Sequence, residues 1–182
     1  MKVKNQHIRY LLLFFLSLSI IVILLNSCSN AVPGKRIFEG YGLWMDTVFK
    51  SPEKIVRCVE IGTTLDVLKK TETIAPTEED SLQLYYEIKV DSFINASIVY
   101  SFSHNKIDEI EIILRCKNEK VGAGVFSDIK NYFQQNYQGP LEENGVLLFA
   151  GKTSLYQPFL ISLKEDGLIN NPQINLLVYT EK

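Results

Sequence analysis

Side chains able to do chemistry are few after residue 28. They include one histidine, His104, and two cysteines, Cys58 and Cys116. An imidazole-assisted nucleophile would have to use His104. That residue sits in Ser103-His104-Asn105 between two strand-like runs, where a solvated turn residue is the competing reading. One histidine and two cysteines are too few for a zinc site of the usual nitrogen and sulfur type, so no metal is expected. Glu78-Glu79-Asp80 and Glu142-Glu143 lack the alternating oxygen spacing of a calcium loop and read as acidic turns. Gly151-Lys152-Thr153 has the ending of a phosphate loop, but Val146 stands where its first glycine is required. Residues 146–150 read as a strand rather than a cradle of free N–H groups. Gly122-Ala123-Gly124 lacks a third glycine at Ser127 and reads as a flexible connection. No catalytic residue and no cofactor emerge.

Two further sets concern structure or binding. A disulfide between Cys58 and Cys116 would close a loop of 116 − 58 = 58 residues. In the chain-entropy model it would stabilise by about 4 kcal/mol. Two separately buried thiols are the other reading. The aromatic run Phe38, Tyr41, Trp44 and Phe49, with Gly40 and Gly42, offers a candidate partner-binding surface centred on Tyr41 and Trp44. Tyrosine and tryptophan are favoured interface anchors; core packing is the competing reading.

The most directive chemistry is at the N-terminus. Lys2, Lys4 and Arg9 precede Leu11 to Leu25, fifteen residues drawn only from Leu, Phe, Ile, Val and Ser. This is the form of a secretory signal, 1–27, and it is short for a span of about 20 residues. An uncleaved signal anchor is the alternative. Leu25-Asn26-Ser27-Cys28 resembles the lipobox of bacterial lipoproteins: an aliphatic residue at −3, a small residue at −1, then cysteine. Asn26 departs from the usual small or apolar residue at −2. The resemblance implies cleavage before Cys28, diacylglycerol on its sulfur, and acylation, typically palmitate, of the new amino terminus. Two or three acyl chains anchor stably where one does not. By analogy with lipoprotein sorting, Ser29 rather than Asp at +2 implies the outer membrane. The lack of an acidic cluster after Cys28 implies the periplasmic face. Residues 28–36, with Pro33 and Gly34, read as a lipidated tether and 37–182 as one domain.

Cleavage would leave 182 − 27 = 155 residues, and a charge of 16 − 21 = −5 after loss of three basic residues. That balance argues against nucleic acid as a partner. A composition of 46 % hydrophobic and 22 % charged residues excludes a disordered chain. A chain of this size can bury one stable core.

The elements that must position these residues follow from hydrophobic spacing. Residues 38–49 read as an irregular strand or a cover for the core, and 54–61 as a strand or one helical turn. A short helix is expected after Thr63 or Thr64, ending near Thr71, with Leu65 and Leu68 inward. Pro76 to Asp80 reads as an acidic turn. Alternation over 81–90, 94–102 and 109–115 predicts three strands, with His104-Asn105 as a two-residue hairpin turn. Phe126, Ile129, Tyr132, Phe133 and Tyr137 predict a second helix stopped by Gly139-Pro140. Three more strands are expected at 146–151, 159–164 and 174–180.

The order is helix and three strands, twice. Leu65 and Leu68 map onto Ile129 and Tyr132, and Leu82 onto Val146, each at an offset of 64. The expected fold is α+β: two αβββ repeats, about 62–116 and 123–182, forming an antiparallel sheet with helices on one face. This layout, with Ile61-Gly62-Thr63-Thr64 before the first helix, resembles the β-lactamase inhibitor proteins. It also resembles the small lipoprotein subunit of the outer-membrane barrel-assembly machinery. Both resemblances imply protein binding rather than catalysis and assign no residue a role. The expectation is a membrane-anchored, non-catalytic module that binds another envelope protein. The alternatives are an inhibitor or immunity lipoprotein that blocks an enzyme, and an enzyme with a carboxylate or tyrosine site.

Overall fold

The computed structural model describes residues 36–168 and 170–180. The signal sequence, Cys28 and the tether up to residue 35 lie outside the described residues. Three helices are described: α1 (Trp44–Val48), α2 (Leu65–Thr71) and α3 (Glu119–Asn136). The strands are β1 (Glu78–Glu79), β2 (Gln83–Lys89), β3 (Ile94–Ser103), β4 (Lys106–Cys116), β5 (Gln138–Glu143), β6 (Val146–Lys152), β7 (Pro158–Leu168) and β8 (Asn171–Tyr179). Among the described residues no helix is long and apolar enough to cross a membrane.

The fold is α+β, built on one eight-stranded sheet ordered β1-β2-β3-β4-β8-β7-β6-β5, with every neighbouring pair antiparallel. Two meanders therefore meet through their last strands, β4 and β8, and leave their first strands at the edges. Four strands follow each helix, not the three expected. The additional strands are β1, only two residues, and β5, whose positions are nearly all exposed. With no buried face, neither has the period-2 alternation that marks a strand in sequence. Their chemistry suits an edge: β1 is short and acidic, while β5 contains Pro140, which has no N–H, and ends in Glu142-Glu143.

Alternation dictates the core. One inward row runs unbroken across six strands: Tyr86, Ile98, Ile112, Leu176, Leu163 and Leu147. The next row is Leu84, Tyr100, Ile110, Val178, Ile161 and Phe149, and all twelve side chains are buried. A one-residue slip anywhere would turn such a row outward, so burial of one face fixes the register. At the β3–β4 hairpin, His104 and Asn105 have φ of +52° and +62°, as a two-residue primed turn requires.

Two covers close the inner face. The first is α3, whose N-cap Asn118 accepts a hydrogen bond from the Val121 N–H at 3.1 Å. Its stripe of Val125, Ile129, Tyr132 and Phe133 is buried. Gly122-Ala123-Gly124, expected as a flexible connection, lies inside this helix. Gly122 is there because α3 touches β8: a Cβ at Gly122 would sit 2.6 Å from Pro172 Cγ. The stop also comes earlier than expected. α3 ends at Asn136, and Gly139-Pro140 belongs to β5.

The second cover is the N-terminal segment. Phe38 meets Tyr132 edge-on at 5.3 Å, Phe49 meets Phe133 at 6.0 Å, and Phe133 meets Phe149 of β6 at 5.6 Å. Residues 54–61 form neither a strand nor a helical turn; they bend around a single bridge between Val56 and Val59. Gly122→Val should therefore force α3 away from β8. Overpacking of this kind costs about 1–3 kcal/mol, read as a lower urea midpoint with an unchanged slope. Gly124→Ala, where a Cβ meets nothing within 4 Å, should be neutral or slightly stabilising in the same titration.

Candidate interaction surface

The aromatic pair expected to form a surface is divided. Trp44 is only 6 % exposed. Its indole Nε1–H donates to Asp128 Oδ2 at 3.1 Å, and the Gly42 N–H donates to the same oxygen at 2.9 Å. This carboxylate on α3 draws the loop inward, so Trp44 belongs to the core and is not a docking residue. Gly42 allows the approach, since a Cβ there would lie 2.4 Å from the indole ring. Tyr41 is half-buried, packs edge-on against Tyr132 at 5.9 Å and donates its hydroxyl to Gln135 at 3.0 Å.

The expected bridge between Cys58 and Cys116 is not formed. Cys116 is a free thiol buried at the end of β4, and burial pushes its pKa up to about 11. His104 is exposed in its turn, beside Ser103 Oγ at 3.0 Å. No group of three or more His, Cys, Asp or Glu among the described residues is arranged to hold a metal.

One ionisable cluster is built on an ion pair closed to solvent. Arg57, 3 % exposed, donates from Nε to Glu72 Oε1 at 2.5 Å and from Nη2 to Oε2 at 2.8 Å. The Tyr100 hydroxyl donates to Oε1 at 3.1 Å, Lys50 Nζ reaches Oε2 at 3.4 Å, and Arg57 Nη1 donates to the Thr47 carbonyl at 2.8 Å. Burial alone would raise the Glu72 pKa. The hydrogen bonds and charge of Arg57, aided by Lys50 and Tyr100, outweigh it and hold the carboxyl below its ordinary value. Tyr100 is driven well above the usual phenol range by burial and by the Glu72 charge. With both Glu72 oxygens occupied, the cluster clamps the N-terminal cover to the end of α2 and to β3. Sequence reading missed it, because Arg57 and Glu72 lie in segments without periodicity.

The open region is the outer face of the sheet. Toward β2–β4 it is polar: Ser97 Oγ donates to Glu87 at 2.9 Å and accepts from Arg115 Nη1 at 2.5 Å, with the Tyr85 hydroxyl 3.2 Å away. Toward β5–β8 it is apolar. Leu141 pairs with Leu148, Leu148 with Ser162, and Ser162 with Leu177; Ala150 pairs with Leu160, and Leu160 with Tyr179. A groove of about 410 Å³ runs over Gln138, Ala150, Leu160, Lys152 and Pro158. Glu109 and Glu111 of β4 border this half, opposite Tyr179 and Leu177.

At one end of the sheet the β6–β7 loop projects two large side chains, Leu155 at 87 % and Tyr156 at 82 % exposure. The loop is tied down beneath them. Tyr156 N–H donates to the Thr153 carbonyl at 2.9 Å, Thr153 N–H to the Gln157 carbonyl at 2.9 Å, and Ser154 N–H to Glu60 Oε2 at 3.0 Å. Tyr156 holds a left-handed φ of +63°, a conformation a non-glycine residue keeps only where its surroundings enforce it. Leu155 also borders a polar cleft of about 580 Å³ with Thr64, Val67, His104, Gln157 and Thr180. The sequence signal for this loop was present and unread: Leu155-Tyr156 are bulky apolar residues between two predicted strands.

Comparison of the chain with family models, curated proteins and solved structures finds no match.

Removing one partner of a buried ion pair costs about 3–5 kcal/mol, so Glu72→Gln and Arg57→Met should each lower the urea midpoint severely. The double variant Arg57→Met/Glu72→Leu should lose less than the sum of the two single changes. The pH dependence has a definite sign. Glu72 is lowered in the folded state, so its stabilisation is complete above the ordinary carboxyl value of 4.5 and declines as pH falls below it. Urea titrations between pH 7 and pH 3 should show this decline in the wild type and a weaker one in the double variant.

Proposed function

We propose that the chain is an outer-membrane lipoprotein, attached through acylated Cys28 and facing the periplasm. Its folded part acts as a non-catalytic module that binds another envelope protein. In this reading the two halves are duplicated αβββ units, each extended by an edge strand. The anchor is supported by the lipobox-like Leu25-Asn26-Ser27-Cys28 behind a charged and then apolar leader. The observation that carries the binding reading is the uncovered apolar half of the sheet, with its 410 Å³ groove. Exposed apolar area of this kind marks an interaction site in a water-facing domain.

Three measurements test these readings. Mass spectrometry of the membrane-extracted protein should find Cys28 as the first residue with a diacylglyceryl thioether. One sulfur carries a thioether or a disulfide, never both. Either intact Met1 or a Cys28–Cys58 disulfide would overturn the anchor. For the partner, a photo-reactive residue placed at Leu148, Leu160 or Leu177 in cells should give one discrete protein adduct, and none at Ala123 on exposed α3. Leu148→Asp should weaken binding of the purified partner about tenfold, as expected where an anchoring side chain is lost. No adduct from the outer face, or equal adducts from Ala123, would remove the binding reading.

A further inference from the structure

We propose that the Leu155–Tyr156 tip is a second membrane contact, seated in the interfacial layer of the bilayer that holds acylated Cys28; this rests on the anchoring reading above. Three observations point to a lipid surface. The side chains suit the depth: leucine partitions into the acyl boundary, and tyrosine prefers the headgroup level. Exposed Lys152 adjoins the tip, positioned to meet lipid phosphates. The base of the loop is tied by the Thr153 hydrogen bonds and by Glu60, which present the two side chains together.

The second observation is where the chain leaves the domain. Arg36 Nη2 donates to the Tyr41 carbonyl, and Tyr41 donates to Gln135 in the last turn of α3. The adjoining Asn136 and Tyr137 line the same hollow, of about 270 Å³, as Lys152, Thr153 and Ser154. Tyr41 thus links the first described residue to the end of α3 that borders the base of the loop. Third, the connection is short. From Cys28 to Arg36 there are 36 − 28 = 8 residue steps, spanning at most about 28 Å when fully extended. A tether of that length holds the tip at a high effective concentration near the bilayer, so weak intrinsic affinity suffices.

The contact would fix an orientation. With the tip and the tether at the lipid, the strands stand away from the membrane and the outer sheet face points sideways, toward neighbouring envelope proteins. The β2–β3 turn, with exposed Phe93, would then be far from the bilayer, because Ile94 begins β3 and Ser103, at its other end, lines the cleft beside Leu155.

The experiment uses the full lipidated protein, reconstituted in phosphatidylethanolamine–phosphatidylglycerol vesicles with or without brominated acyl chains. Trp44 is buried and common to every variant, so differences report the introduced tryptophan. In Tyr156→Trp the added emission should be blue-shifted by the vesicles and roughly halved by brominated lipid, as for a side chain at the interface. In Phe93→Trp it should be unaffected. Adding Leu155→Asp to Tyr156→Trp should abolish the quenching. Protein that floats with the vesicles while residue 156 stays unquenched overturns the tip contact alone. So does emission that is blue-shifted yet insensitive to brominated lipid, which would mean that a protein covers the tip. Equal quenching at positions 156 and 93 overturns the orientation. Protein that fails to float overturns both this contact and the anchor.

Discussion

The molecule is organised around a salt bridge that water does not reach. Arg57 projects from an irregular segment, itself held at a left-handed φ of +46°, and meets Glu72 just beyond the end of α2. Neither charge is tolerable in that setting without the other. The pair therefore selects one arrangement of three pieces of chain: the N-terminal cover, the end of α2 and β3 through Tyr100. Apart from the five-residue α1, residues 37–61 form no helix or strand. What holds them over the sheet is this clamp, the Asp128 carboxylate gripping Gly42 and Trp44, and the aromatic contacts around Tyr132 and Phe133. A domain with an antiparallel sheet and one long helix becomes a closed core only because an aperiodic strip is locked across the remaining half.

The same division separates what the sequence made legible from what it did not. Strands β2, β3, β4, β6, β7 and β8 were all foreseen, because each buries one face and exposes the other. α2 was foreseen from the threonines that can cap it, and α3 from helical spacing. β1 and β5 were not, since edge strands with two wet faces leave no period to read. The start of α3 was misplaced because Gly122 and Gly124 look like a flexible joint until Pro172 is known to press on one of them. Trp44 illustrates a deeper limit. An aromatic near a glycine is the same string of letters on a surface or in a core. What decided between them was a single carboxylate 84 residues away, at Asp128.

The candidate site was less legible than the fold for a related reason. Chemistry-bearing residue types attract attention in a sequence, and this chain has few. Its distinctive surface is made of ordinary residues in unusual places: leucines and alanines on the open side of a sheet, and Leu155-Tyr156 at the tip of a pinned loop. Such features are defined by the absence of a covering layer, and only the assembled structure reveals which layer is missing. The two faces of the sheet also differ in kind. The inner one is uniform and apolar, whereas the outer one changes from a hydrogen-bonded polar network around Ser97 to an aliphatic field around Leu148 and Leu160. That gradient gives the outer face a direction.

The meeting of β4 and β8 in the middle of the sheet has a temporal meaning. A strand that follows all the others in the chain occupies the centre, so the first meander has no neighbour along its most apolar border until the second is complete. The pairing that joins the two meanders is the one farthest apart in the chain, so the sheet closes only when both are present.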